Sequence, residues 1–389
     1  MMTKQKLVLF FTVFIDMICF SMIFPVLPYL VDELHFTKLS IGLLVTIFPL
    51  MNFLCNSYWG SLSDRVGRRP IMLASIAITF FANILLGFCN GFLLLFVARL
   101  LAGVGSANIS VAQAAITDIS TPETRTKNLG LMGAMFGMGF IIGPYVGSVL
   151  KMYSGAGSAL YVGLGAAALN LINYCSATYY LTESNLSLNK AKKTSFNPFI
   201  NIIKWLKVPV VQQLMVLFCI YVVAFSMMQI TSGFLWKQKY HLTEKQAGLM
   251  FVYIGLTSAL FQGLLVGRLT KNYNERQLII GGGIIMSLGL TLIPVPNLSN
   301  FWVIELFACT LLSLGNACIT PPLQSWLTKK SPTTEIGQVL GANQSFGSLG
   351  RVVGPALGTF LYAYNVNVPF YVSGALMLLP LFIIIRLKT

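Results

Sequence analysis

Residues 71–90, IMLASIAITFFANILLGFCN, run the length of a bilayer core without one charged side chain. Coiled as an α-helix, such a stretch is about 30 Å long, the thickness of the hydrocarbon layer. Lipid offers backbone N–H and C=O groups no partner, so a chain crosses it as helices or a closed barrel. The same character recurs along the chain and predicts twelve spans, at 7–30, 40–60, 71–90, 93–117, 128–151, 157–181, 209–233, 246–267, 277–296, 301–322, 336–363 and 368–386. Only 10% of the residues are charged while 56% are hydrophobic, against about 25% charged in a soluble domain. The chain cannot dress a water-facing surface, so its solvent is lipid and its expected class is an all-α membrane protein.

The polar segments carry the topology. A net charge of +15 would suggest nucleic acid in a soluble protein. Here the basic residues sit between spans, which points to orientation and to no nucleic-acid partner. With an even number of spans, most lysines and arginines fall on the side of Lys4 and Lys6, including Arg65, Arg68, Arg69, Arg125, Arg268, Lys271, Lys329 and Lys330. The opposite side holds Lys38, Lys151, Lys237, Lys239 and Lys245. The positive-inside rule then places both termini in the cytoplasm. The first apolar run follows Lys4 and Lys6, contains Asp16 and ends in PVLP (25–28) with no small-residue cleavage site, so it reads as a span rather than a cleaved leader. All seven cysteines lie in apolar segments without a C-x-x-C pair, which gives neither a disulfide framework nor a metal site.

The chain also repeats itself. LGLMGAMFGMGFIIGPYVGS (129–148) aligns without gaps on LGANQSFGSLGRVVGPALGT (340–359), sharing Leu, Gly, Gly, Gly, Pro and Gly in register. GSANIS (105–110) parallels GNACIT (315–320) at nearly the same offset. The expected organisation is a six-helix half over 1–181, a cytoplasmic linker over 182–208 and a second six-helix half over 209–389. Within the linker, FINIIKWL reads as an amphipathic surface helix. Duplicated halves are the mark of a secondary transporter with its site near the midplane.

Between spans two and three lies GSLSDRVGRRP (60–70), which concentrates charge in a chain that otherwise avoids it. It closely resembles the G-x-L-x-D-R-x-G-R-[KR] loop of the major facilitator superfamily. RLLAGVGSA (99–107) resembles that family's R-x-x-x-G-x-G pattern, and GFIIGPYVGS (139–148) its antiporter signature, with Ser148 in place of the last glycine. FIDMICFSMIFPVLPYL (14–30) and PPLQ (321–324) are similar to bacterial tetracycline-efflux proteins. The resemblance covers essentially the whole chain and implies the drug:proton antiporter branch. It implies a gating loop of Gly60, Asp64, Arg65, Gly67, Arg68 and Asp118 that locks the outward-open state. Gly60 would admit a second helix closely. Asp64 would pair with Arg68 or accept from a helix N-terminus, and Asp118 would partner Arg65 or Arg68. It further implies an antiporter stripe of Gly139, Gly143, Pro144 and Gly147, with Pro144 bending the helix.

Charges at mid-span cost roughly 2.5–3.5 kcal/mol each and mark function or pairing. Asp16 is the expected proton carrier, with Arg99 organising its site; a static ion pair clamping two helices is the other reading. Asn52, Asn56, Gln229, Gln324, Gln344 and Arg351 are the expected polar lining of a substrate cavity. Gln229 matches the span-seven glutamine of tetracycline exporters, and with Phe225, Met227, Met228 and Phe234 nearby the expected wall is soft and apolar with one polar handle. No Walker-type glycine loop occurs in the sequence, and no carboxylate pair or metal-ligand cluster falls within the spans. The expectation is therefore a transporter rather than an enzyme, using no cofactor, and acting as a monomer in the bacterial inner membrane. The resemblance implies exchange of protons for amphipathic organic compounds by alternating access. Proton-coupled movement of a siderophore or sugar-like metabolite, import included, is the alternative.

Overall fold

The computed structural model describes residues 4–23, 38–154, 159–185, 198–242 and 244–386. The PVLP end of the first expected span and residues 186–197 of the polar stretch lie outside them. Among the described residues the fold is helical without strands. The helices are α1 (Lys4–Ser21), α2 (Lys38–Val66), α3 (Arg68–Gly87), α4 (Phe92–Gly105), α5 (Ile109–Asp118), α6 (Pro122–Ser154), α7 (Leu160–Tyr180) and α8 (Pro198–Leu206). They continue as α9 (Pro209–Gln238), α10 (Glu244–Leu260), α11 (Val266–Asn272), α12 (Glu275–Leu292), α13 (Phe301–Lys329), α14 (Ile336–Tyr364) and α15 (Val368–Arg386).

Seven rods among these are long and apolar enough to cross a membrane by length and composition, including Phe92–Asp118 and Gln246–Asn272 taken whole. With α1, α2, α12, α14 and α15 they follow the expected spans in order. Two spans are not uniform. A 3-10 turn over Ser106–Asn108 separates α4 from α5, where the Gly103–Gly105 stretch weakens the α-helix. A π turn over Phe261–Leu265 separates α10 from α11. Phe81, Leu93, Ile172, Leu264 and Val303 stand exposed, the apolar exterior that lipid requires. FINIIKWL does form a helix, α8, exposing Phe199, Ile200 and Ile203 while burying Ile202 and Trp205.

The chain forms two compact units. One comprises Met1–Ser120, Met135–Ile202 and Pro332–Ser345; the other comprises Thr121–Ala134, Ile203–Ser331 and Phe346–Thr389. Both use glycine to bring helices into backbone contact. In the first unit, a Cβ on Gly139 would lie 2.6 Å from the Phe14 carbonyl, and one on Gly143 2.6 Å from the Ile18 carbonyl. A Cβ on Gly147 would collide with Met22. The stripe thus seats α6 on α1, and the Ser21 hydroxyl donates to the Gly139 carbonyl across the seam at 3.3 Å. Pro144 stands inside α6, where it removes one backbone donor. In the second unit the repeat does the same: Gly350, Gly354 and Gly358 press α14 onto Cys219, Val223 and Met227 of α9.

Gly143→Leu should therefore lower the melting temperature of the detergent-purified protein, because its side chain has no room against Ile18 and Ser21. Overpacking of this kind costs about 1–3 kcal/mol. An unchanged melt would show that the seam is looser than these contacts require.

Candidate functional site

The gating loop is built around one buried guanidinium. Asp64 closes α2, Arg68 opens α3, and Gly67 turns the chain between them with φ of 116°, a conformation that favours glycine. A side chain on Gly67 would also collide with the Glu183 carboxylate. That carboxylate accepts the backbone N–H groups of Arg68 and Arg69 at 2.8 and 3.1 Å, satisfying donors that begin α3. Arg68 is 1% exposed. Its Nη1 lies 2.7 Å from Asp64 Oδ1 and its Nε 3.0 Å from Asp118 Oδ2, and Nη1 also donates to the Ser63 hydroxyl. Of the two cations considered for Asp118, the structure selects Arg68; Arg65 is half-buried and makes no such pair among the described residues.

Asp64 also reaches α14. Its two carboxylate oxygens accept the backbone N–H groups of Gly337 and Gln338 at 2.9 and 2.7 Å, in the first turn of that helix. The carboxylate supplies both a local ion pair and the acceptors that a helix start lacks. A Cβ on Gly60 would strike the Gly337 carbonyl, and one on Gly341 the Asn56 carbonyl, so α2 and α14 run backbone to backbone. Ser57 N–H donates to the Ser345 hydroxyl at 3.1 Å, and Gln344 Nε2 to Gln113 Oε1 at 3.2 Å.

Asp16 lies within the same unit, buried on α1. Asn108, at the 3-10 turn, donates to Asp16 Oδ2 at 2.7 Å, while Oδ1 has no partner. Arg99 on α4 is also buried, its guanidinium carbon 4.9 Å from the Phe48 ring centroid. Asp16 and Arg99 border one cavity of about 30 Å³. They make no ion pair within 4.0 Å among the described residues, so the clamping pair is not the arrangement found.

The expected substrate-lining residues divide. Asn52 and Asn56 are buried and bond down their own helix, to the carbonyls of Phe48 and Asn52. Gln324 and Gln344 are buried as well, Gln229 is half-buried, and Arg351 is exposed, with its Nη1 3.4 Å from the Ser348 hydroxyl. Met227 and Met228, assigned to an open wall, are instead fully packed, Met227 under Gly354 and Gly358. They cannot line an open cavity in this arrangement. Sequence reasoning missed Glu183, Asn108 as the Asp16 partner, and the Gly337–Gln338 amides. An acidic residue directly after a span, near a helix start, was the available signal for Glu183.

The sequence profile of the Major Facilitator Superfamily matches residues 9–238 and 214–388. The chain is 30% identical over 365 residues to the class C tetracycline resistance protein of Escherichia coli, covering 92% of this chain and 89% of that one. It is 27% identical over 383 residues to multidrug resistance protein 2 of Bacillus subtilis, covering 96% and 93%. The human organic anion transporter MFSD10 superposes with a TM-score of 0.87 at 22% identity, over 98% of this chain and 99% of that one. These two identities near 30% speak to ancestry; the superposition speaks to fold.

Arg68→Met should destabilise the protein by about 3–5 kcal/mol, since it leaves the Asp64 and Asp118 carboxylates buried without their shared cation. Asp118→Asn added to it should restore part of the loss. A thermal melt that Arg68→Met leaves unchanged would mean that the cluster is a surface feature.

Proposed function

Because the chain belongs to the major facilitator superfamily, a family of multi-pass membrane transporters, we propose that it exports amphipathic organic compounds in exchange for protons across a bacterial cytoplasmic membrane. The observation that carries this reading is Asp16: a titratable carboxyl buried in α1, with one oxygen unpartnered and Arg99 beside the same cavity. Relatives named for tetracycline and multidrug resistance support the substrate class.

Residues act as follows in this reading. Asp16 accepts a proton from outside and releases it inside, and each charge moved gains about 2.3 kcal/mol per 100 mV of inside-negative potential. Arg99 stays cationic and favours the ionised carboxylate once the proton has left. Asp64, Arg68 and Asp118 hold the start of α14 against α2 at the cytoplasmic face. Opening that face breaks the Asp64 bonds to Gly337 and Gln338 and separates the Gly60–Gly337 contact, a two-state element of the kind that gates transport. Gln229, half-buried on α9, offers the substrate a polar handle.

A second reading concerns charge on the substrate. Arg351 is an exposed residue halfway along α14, where lipid would penalise its charge. It supports compounds that carry an anionic group beside their apolar body. Sugar-like metabolites, the competing class, need many paired hydroxyl partners.

In inside-out vesicles tested against a compound panel, Asp16→Asn should cut pH-gradient-driven accumulation at least a hundredfold, the usual scale for losing a proton-transfer group. Downhill exchange should survive. Accumulation against a gradient by the variant would remove Asp16 from coupling. Gln229→Ala should change relative affinity among related substrates by about tenfold, one hydrogen bond's worth. Micromolar binding of monosaccharides indifferent to Gln229 would favour nutrient transport.

A further inference from the structure

The cavity beside Asp16 is small, and several polar side chains border it. It lies inside the first unit, bordered by α1, α2, α3, α4, the 3-10 turn and α7, and its polar lining includes Asp16, Thr79, Asn83, Arg99, Ser106 and Asn170. Asn170 is fully buried on α7, and neither its Nδ2 nor its Oδ1 has a hydrogen-bond partner. Asp16 Oδ1 and Arg99 Nε are likewise buried without partners. Four orphaned atoms on three helices therefore surround one space. Buried polar groups are almost always bonded, to protein or to ordered water, because leaving each one bare costs about 1–3 kcal/mol.

From this convergence we infer that the cavity is a hydration site, in which Asn170 holds ordered water between Asp16 and Arg99. The volume, about 30 Å³, suits one or two waters, which need about 10–15 Å³ each by this measure. Water there donates to Asp16 Oδ1 when the carboxyl is ionised and accepts from it when it is protonated. Asn170 serves both cases, since its amide offers donors and an acceptor together. Arg99 Nε donates to the same water and fixes its lone pairs. Asn170 is thus a positioning residue for the Asp16 proton, a role that rests on Asp16 being the coupling group.

The titratable surroundings are simple. Along α1, Cys19 borders the cavity and its thiol donates to the Ala166 carbonyl at 3.5 Å. α4 contributes the Arg99 charge. α2, α3, α7 and the 3-10 turn contribute only neutral lining groups, among them Phe48, Thr79, Asn83, Asn170 and Ser106. Just along α7, Asn173 accepts from the Thr12 hydroxyl at 2.9 Å and leaves its Nδ2 unpartnered, so the polar seam between α1 and α7 continues beyond the cavity.

An experimental map of the full chain in lipid nanodiscs, at a resolution that shows ordered water, should contain density joining Asp16 Oδ1, Arg99 Nε and Asn170. Substrate-free protein, melted across a pH series, should show a titration midpoint that Asp16→Asn abolishes. Asn170→Leu should displace that midpoint by about one pH unit, the effect of one lost hydrogen bond to a single protonation state. A general packing defect would lower the melting temperature at every pH and leave the midpoint in place. An empty cavity in the map, or an undisplaced midpoint in a folded Asn170→Leu protein, overturns the inference; if that variant does not fold, the native map decides. Should density and displacement both be found while Asp16→Asn still drives uphill transport, the hydration site stands and the coupling reading alone fails.

Discussion

Burying the Arg68 guanidinium to 1% exposure would cost several kcal/mol were it alone, and a buried charge is tolerated only when opposite charges and hydrogen bonds come with it. Asp64 and Asp118 bring those charges from the ends of two different helices. Asp64 then spends its remaining acceptor capacity on the first amides of α14. One cation therefore ties together α2, α3 and α5, and through Asp64 it also fixes the start of α14. The glycine contacts beneath it, Gly60 on Gly337 and Gly341 on Asn56, exist because no side chain stands between the backbones. They would open without leaving a cavity lined by broken side-chain packing. Strong polar closure over a thin apolar seam suits a contact that is made and unmade.

Asp16 is handled in the opposite way. Its neighbours satisfy one oxygen and leave the other open, and Arg99, which borders the same cavity, stacks on Phe48 rather than pairing with it. A fully paired carboxylate would be locked in its ionised form. One held by a neutral amide, facing a small polar cavity, can exist in either form. The contrast is between a carboxylate with both oxygens bonded, Asp64, and one that keeps an oxygen open, Asp16, within a single helical unit.

Much of the fold was legible in the sequence because lipid is an exacting solvent. Uncharged stretches of about 20 residues have few other uses, and the glycine repeats at 139–147 and 350–358 announced close helix contacts that both units contain. The i,i+4 spacing of Asp64 and Arg68 likewise announced their pair. The rest depended on backbone. The amides of Gly337 and Gln338 lie more than 270 residues from Asp64 and carry no signature, since every residue but proline has an N–H. Asn108 reaches Asp16 from a 3-10 turn that redirects the chain, and a uniform helix through span four would have turned it elsewhere. The methionines of α9 failed for a related reason. Adjacent helical residues point about 100° apart, so Met227 can pack under a glycine stripe while Gln229 stays half-exposed two positions later.

On the function proposed above, the α2–α14 contact opens once per transport cycle. The Ser57 backbone N–H meets the Ser345 hydroxyl across it at 3.1 Å, and neither residue belongs to the charge cluster. A cysteine pair at these two positions, in a background lacking the seven native cysteines, tests the claim directly. Oxidised protein in vesicles should bind substrate yet fail to turn over, and reduction should restore transport. Full turnover with the disulfide intact would contradict the account.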